Sequence, residues 1–200
     1  IYGIKKRSLK KDILGIINKN LSKKKNYNHL LRIALNKKII SISLRKRIAP
    51  KLNFELKLVN LKREKPKYKN LKYKKILSYL SKMDNSKSDI ALVYKKKILE
   101  TGTSNLLFIK NKKVFTPKKD YYEGNTFKFF KTKIKKIIRK DILICKLNEY
   151  DEIILIGSGK GVTSVKKIKQ ISWKRKSLYH FKMFSKYYRS VINKSYQYKF

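Results

Sequence analysis

Fifty-five basic side chains against twelve acidic ones give this 200-residue chain a net charge of +43, and that excess most constrains what it can fold into. A chain so charged stays unfolded unless it buries enough apolar surface to offset the self-repulsion. Here 42% of residues are hydrophobic and 12% aromatic, while glycine and proline together number ten, so a packed core is within reach. The length suits one domain, or one and a half. Cys145 stands alone, which rules out an internal disulfide, and with only His29 and His180 beside it no Cys/His zinc site can be assembled. No metal site is expected.

The charge also bears on partners. Lysines that neutralise phosphates give salt-sensitive affinity for nucleic acid. Only eight of the basic residues are arginine, however, and bidentate recognition of bases and phosphates leans on arginine. The lysine excess comes with abundant Ile, Asn and Tyr, so A/T-rich codon bias accounts for it as well as function does. Lysines run along the whole chain, as a solvated surface requires. No apolar run approaches the ~20 residues that span a bilayer, and IYGIKKRSLKKD lacks the order of a signal peptide. These features lead us to expect a soluble, cytoplasmic protein without membrane contact.

Periodicity predicts mixed α and β structure. Leu9, Ile13, Ile16, Ile17 and Leu21 recur at helical spacing over 8–22, with Ser8 as the cap. LLRIAL (30–35) and IISISLRK (39–46) read as a hairpin about Asn36-Lys37-Lys38, and FELKLVNL (54–61) as a further strand. LKYKKILSYLSKM, from Leu71, reads as a helix. DIALVY (89–94), ILETG (98–102), SNLLFIK (104–110) and VFTP (114–117) read as strands. A helix is expected from Gly124-Asn125-Thr126 to about Lys140, then strands at ILICKL and EIILIGSG, and a closing helix over 177–192.

Two segments carry chemistry. GSGKG (157–161) follows a strand, where backbone N–H groups can approach a phosphate. It is not a Walker A loop, because Ile154 and Gly161 stand where Gly and Ser/Thr are required. Nor is it a dinucleotide fingerprint, because Val162 stands where the third glycine belongs. A plain tight turn and another kind of phosphate cradle both remain open. In LETGTSNLLFI (99–109) a lone acid, Glu100, interrupts an apolar run and precedes Thr101, Thr103, Ser104 and Asn105. A buried carboxylate needs a cationic partner, so the alternatives are an edge-strand glutamate paired with a lysine and a functional acid.

ILETGTSNLLFI followed by KNKKVFTP, then EGNTFKFF, then DEIILIGSGKGVTSV resemble in order and spacing the class IV aminotransferase-like pyridoxal-phosphate enzymes. That family includes branched-chain and D-amino-acid aminotransferases and aminodeoxychorismate lyase. The resemblance covers roughly Lys69 to the C-terminus. It implies an α+β fold of fold-type IV, with residues 1–64 as the remainder of a small N-terminal domain and residues 65–200 as the domain binding pyridoxal 5'-phosphate. It further implies a small-molecule carboxylate substrate and a homodimer.

Carried over by position, Glu100 matches the carboxylate that keeps the pyridine nitrogen protonated. Asn125 and Thr126, with Ser158 and Gly159, match the phosphate ligands. Lys69, four residues before Tyr73, matches the Schiff-base lysine, with Lys67 and Lys72 as rivals. A basic pocket would help that lysine lose its proton. The chain departs from the pattern in Phe127, where the family has arginine, and in Asn125, where it has isoleucine. The first residue is Ile rather than Met, which suggests an upstream segment that is missing or has diverged.

The compact ending after GSGKGVTSV resembles that of lyase-like members. It implies conversion of 4-amino-4-deoxychorismate to 4-aminobenzoate and pyruvate, for folate synthesis. The alternatives are an aminotransferase of branched-chain or D-amino acids and a lysine-rich nucleic-acid-binding protein that keeps the motif as a relic.

Overall fold

The computed structural model describes residues 6–22, 27, 29–36 and 39–194, with the side chains of residues 6 and 7 left out. It divides between Arg47 and Ile48 into two compact units. That division lies upstream of the 64/65 boundary expected from sequence.

The smaller unit holds helix α1 (Lys6–Asn20) and an antiparallel hairpin of β1 (His29–Leu35) and β2 (Ile40–Lys46). Ser8 lies inside the first turn of α1 instead of capping it. At the hairpin end the Asn36 side chain accepts the Ile39 N–H at 2.8 Å. The turn residues Lys37 and Lys38 lie outside the described residues.

The larger unit starts with β3 (Phe54–Asn60) and α2 (Lys74–Leu80). β4 (Ser88–Tyr94), β5 (Lys97–Thr101), β6 (Asn105–Lys110) and β7 (Lys113–Pro117) follow. Then come α3 (Asn125–Lys133), β8 (Ile137–Lys140), β9 (Ile142–Leu143), β10 (Glu152–Gly157), β11 (Gly161–Ile168) and α4 (Tyr179–Lys194). Nine strands form one mixed sheet in the order β8-β7-β6-β10-β11-β3-β4-β5-β9. β3 pairs in parallel with both β4 and β11, so it belongs to this sheet although it precedes the expected boundary.

The sheet is buried on both faces, which is why β6 and β10 read as unbroken apolar runs. Leu106 and Phe108 pack into a cluster with Phe54, Leu155 and Trp173. Their neighbours Leu107 and Ile109 point the other way, toward Phe127, Phe130, Ile154 and Phe184 from α3, β10 and α4. α2 closes a third cluster, in which Ile76 and Leu80 meet Val59, Ile90 and Leu92.

Two hairpins turn on two residues each. Lys95-Lys96 and Asn111-Lys112 all adopt positive φ, between 49° and 61°. That is the pattern of the type I′ turn, whose twist matches the flanking strands.

Three sequence expectations need correction. The helix expected to reach Lys140 stops at Lys133, because Ile134 turns extended and Ile137–Lys140 pair in parallel with β7. ILICKL is a strand only at Ile142–Leu143; Ile144–Glu149 coil into a 3₁₀ segment that drops Leu147 into the core. GVTSVKKI, given no element from sequence beyond the glycine turn that ends at Gly161, is the eight-residue strand β11.

α4 is tied to the sheet by an acid. Glu152 on β10, fully buried, accepts the backbone N–H groups of His180 and Phe181 at 2.9 Å each and the Ser177 hydroxyl at 3.1 Å. A carboxylate at a helix start satisfies orphan donors and complements the helix dipole.

Candidate active site

β5 delivers Glu100 to a buried position opposite Leu92 of β4, and its side chain is 4% exposed. Its partner is an arginine rather than one of the many lysines. Arg63, just beyond β3, donates from Nε to Glu100 Oε1 at 2.8 Å and from Nη2 to the Gly102 carbonyl at 3.4 Å. Burial pushes the Glu100 carboxyl above the ordinary glutamate value, while the Arg63 guanidinium and the Tyr122 backbone N–H oppose that rise. Neighbouring Lys62 places Nζ 3.0 Å from Asp120 and over the ring of Tyr94.

After Glu100 the chain makes a tight polar turn. Thr101 N–H bonds the Ser104 carbonyl, and the Thr101 hydroxyl accepts the Ser104 N–H. Asp89, at the start of β4, pins this turn by accepting the hydroxyls of Thr101 and Thr103 at 3.1 and 2.6 Å. Lys160 completes that cluster, with Nζ 2.9 Å from the same Asp89 oxygen.

Asn105 joins the turn to α3. Its Oδ1 accepts the Gly124 N–H at 3.0 Å and its amide donates to the Tyr122 carbonyl at 2.6 Å. α3 starts at Gly124 without a side-chain cap, which leaves first-turn N–H groups free of an intrahelical partner. A Cβ on Gly124 would come within 3.2 Å of Asn105 Oδ1. Asn105 also pairs in register with Ile156 on β10. Gly157, next in line, lies so close to Ser104 that a Cβ there would stand 2.7 Å from its hydroxyl. The start of α3 and the β10–β11 turn therefore converge on Ser104 and Asn105.

The residues singled out by sequence fall as follows. Thr126 is buried and Asn125 exposed in the first turn of α3; Ser158 is exposed and Gly159 half-buried in the β10–β11 turn. Glu100 lies one short turn away from both. Tyr73 immediately precedes α2 and packs on its apolar cluster. Lys69 is exposed in the segment between β3 and α2. Phe127 points into the core, where its ring meets Tyr121 edge-on at 5.9 Å.

Arg63, Asp89 and Lys160 were missed. Asp89 carried a legible signal, a second acid at the head of an apolar run, whereas the two cations looked like any others.

The family model for amino-transferase class IV matches residues 3–168. The chain belongs to the class IV aminotransferase family. Solved members share the fold of this class IV chain at low identity. A branched-chain aminotransferase from Thermoproteus uzoniensis, solved with norvaline, matches with a TM-score of 0.71 and 14% identity. The match covers 95% of this chain and 72% of that one. For 4-amino-4-deoxychorismate lyase from Pseudomonas aeruginosa the TM-score is 0.60 and the identity 13%, over 80% and 64%. For an aminotransferase from Brucella abortus bound to the cofactor PLP they are 0.61 and 17%, over 76% and 58%. The chain thus spans less than two thirds of the length of the latter two proteins. No curated protein matches it significantly.

Pyridoxal phosphate is the cofactor of the class IV family. The donor set fits two parts of it. A buried carboxylate suits a protonated ring nitrogen, and an uncapped helix start beside a glycine turn suits a phosphate dianion. Among the described residues, no cluster of three or more His, Cys, Asp or Glu could hold a metal, and no helix is long and apolar enough to cross a membrane.

Proposed function

We propose that the chain binds pyridoxal phosphate and belongs to an enzyme acting on a small carboxylate substrate. The observation that carries this reading is the buried Glu100 carboxylate, one turn away from two anion-compatible backbone segments joined through Asn105. When bound, pyridoxal phosphate supplies an electron sink for density released at the substrate's reacting carbon.

The protein's part is to bind and orient. Glu100 would accept a hydrogen bond from the ring nitrogen. Asn125, Thr126, Ser158 and Gly159 would hold the phosphate, with the first-turn N–H groups of α3 as donors. Lys69 is our assignment for the lysine that bonds the cofactor, and Tyr73 seats the segment that carries it. Lys67 and Lys72, in the same segment, are its rivals. The cofactor-binding role rests on residues 65–200 together with Arg63 and the strand β3 before it, both of which lie in the larger unit. The enzyme is expected to work as a cytoplasmic homodimer.

For the reaction we favour the lyase, which converts 4-amino-4-deoxychorismate to 4-aminobenzoate and pyruvate, because GSGKGVTSV followed by ISWKRKSLYHFKMFSKYY resembles the corresponding stretch of lyase-like members. Transamination of branched-chain or D-amino acids is the second reading, supported by the match to the Thermoproteus uzoniensis enzyme over 95% of the chain.

The acceptor requirement separates the two. A lyase yields pyruvate from aminodeoxychorismate alone, whereas an aminotransferase needs a keto-acid acceptor to close its cycle. Incubation without acceptor, with pyruvate measured, should show continuous turnover. A single stoichiometric conversion with a branched-chain or D-amino acid, and no pyruvate from aminodeoxychorismate, would replace the lyase with the aminotransferase.

A further inference from the structure

Lys160 stands apart among the lysines. Its side chain is 7% exposed, and its Nζ lies 2.9 Å from the fully buried carboxylate of Asp89. Neither charge is tolerable in the interior without the other. The pair is completed from all sides: the Thr101 and Thr103 hydroxyls share the oxygen that Lys160 touches, and the Ile90 N–H takes the other at 2.8 Å. The Lys160 ammonium also sits 4.8 Å from the centre of the Phe54 ring.

What this pair connects gives it a role. Lys160 is the last residue of the turn formed by Ser158 and Gly159, between the paired ends Gly157 and Gly161. Asp89 holds the 101–104 turn that directly follows Glu100. One ion pair, spanning 71 residues of sequence, therefore ties the turn assigned to phosphate to the strand that carries the ring-binding acid.

We propose that Lys160 is a positioning residue: through Asp89 it fixes the Ser158–Gly159 turn at a set distance from Glu100, matching the turn to the phosphate end of a ligand whose ring lies at Glu100. The inference rests on the pyridoxal phosphate reading above. The charge of Lys160 is matched by that of Asp89, so its contribution is geometric and specific to the phosphate. A ligand with the same ring and no phosphate gains nothing from a correctly placed turn.

The test measures binding of pyridoxal phosphate and of pyridoxal by the full chain, in the wild type, in Lys160→Met and in the double variant Asp89→Asn/Lys160→Met. Thermal melts run in parallel. The single variant leaves a buried carboxylate without its cation and can fail to fold; the double variant removes both charges and keeps the question answerable. In the folded variant, affinity for pyridoxal phosphate should fall about tenfold, the effect of losing one hydrogen bond to a charged group. Affinity for pyridoxal should stay unchanged. If both ligands weaken equally, or neither weakens, the pair is only structural and the proposal is overturned. A wild-type chain that takes up no pyridoxal phosphate instead overturns the cofactor reading, and this inference with it.

Discussion

The Arg63 guanidinium sits 2.8 Å from the Glu100 carboxylate, so the acid assigned to the ring nitrogen already has a fixed cation at its side. Burial raises the Glu100 carboxyl above its ordinary value, and Arg63 holds that rise in check. Above the ordinary value, and up to the raised one, the folded state binds more protons than the unfolded state. The protonated Glu100 therefore contributes stability that is lost as pH rises through that window. Cofactor binding has the opposite sense, because a protonated ring nitrogen needs the ionised acid, so affinity should fall as pH drops through the raised value. Arg63→Met removes the opposing cation and should move this acid limb to higher pH, while Arg63→Lys should largely keep it in place. Pyridoxal phosphate affinity measured against pH checks this; an unmoved limb in Arg63→Met would separate Arg63 from the site.

Glu100→Gln keeps a hydrogen-bonding side chain but removes the charge that stabilises a protonated ring. It should weaken pyridoxal phosphate binding, as protonation of Glu100 does, and lower turnover on the order of a hundredfold, comparable to deleting one preorganised electrostatic contact. Steady-state kinetics at saturating cofactor decide it. Unaltered turnover would remove Glu100 from the chemistry.

Asn105 connects Tyr122 and Gly124 to β6 through two side-chain hydrogen bonds. Asn105→Ala should cost about 1–3 kcal/mol of stability, since it leaves partly buried backbone groups unpaired. It should also weaken pyridoxal phosphate more than pyridoxal, because the start of α3 loses its anchor. Denaturant melts and paired ligand titrations give both readouts.

These relationships were legible in the sequence to different degrees. The apolar runs of β6 and β10 announce buried strands because both sheet faces are covered. Glu100 stands out because it breaks such a run. Lys160 does not, because one lysine among so many gives no hint that its side chain is buried; that depends on Asp89, 71 residues away. Arg63 is hidden in the same way by a partner 37 residues downstream. The early end of α3 was illegible because KIKKII keeps helical spacing, and only pairing with β7 makes Ile137–Lys140 a strand. The two I′ turns carry lysine and asparagine where glycine is the usual signal, so the hairpins showed in the spacing of the strands rather than in the turn residues.

Gly157 tests the packing of the phosphate turn. A methyl group there would meet the Ser104 hydroxyl at 2.7 Å and the Thr103 carbonyl at 3.3 Å, and the backbone at that point has little room to give. Gly157→Ala should cost about 1–3 kcal/mol, the usual penalty for overpacking. A thermal melt checks this, and an unchanged midpoint would show that β10 and the 101–104 turn are not in close contact.

Cofactor capture is the most direct test of the central claim. The purified chain is mixed with pyridoxal phosphate, reduced with borohydride, digested and mapped by mass spectrometry. One pyridoxyl group per chain is expected, on a single lysine of the segment between β3 and α2, with Lys69 assigned and Lys67 and Lys72 as rivals, and weaker labelling when phosphate-free pyridoxal is used at the same concentration. Label scattered over the many surface lysines, or none at all, would contradict it.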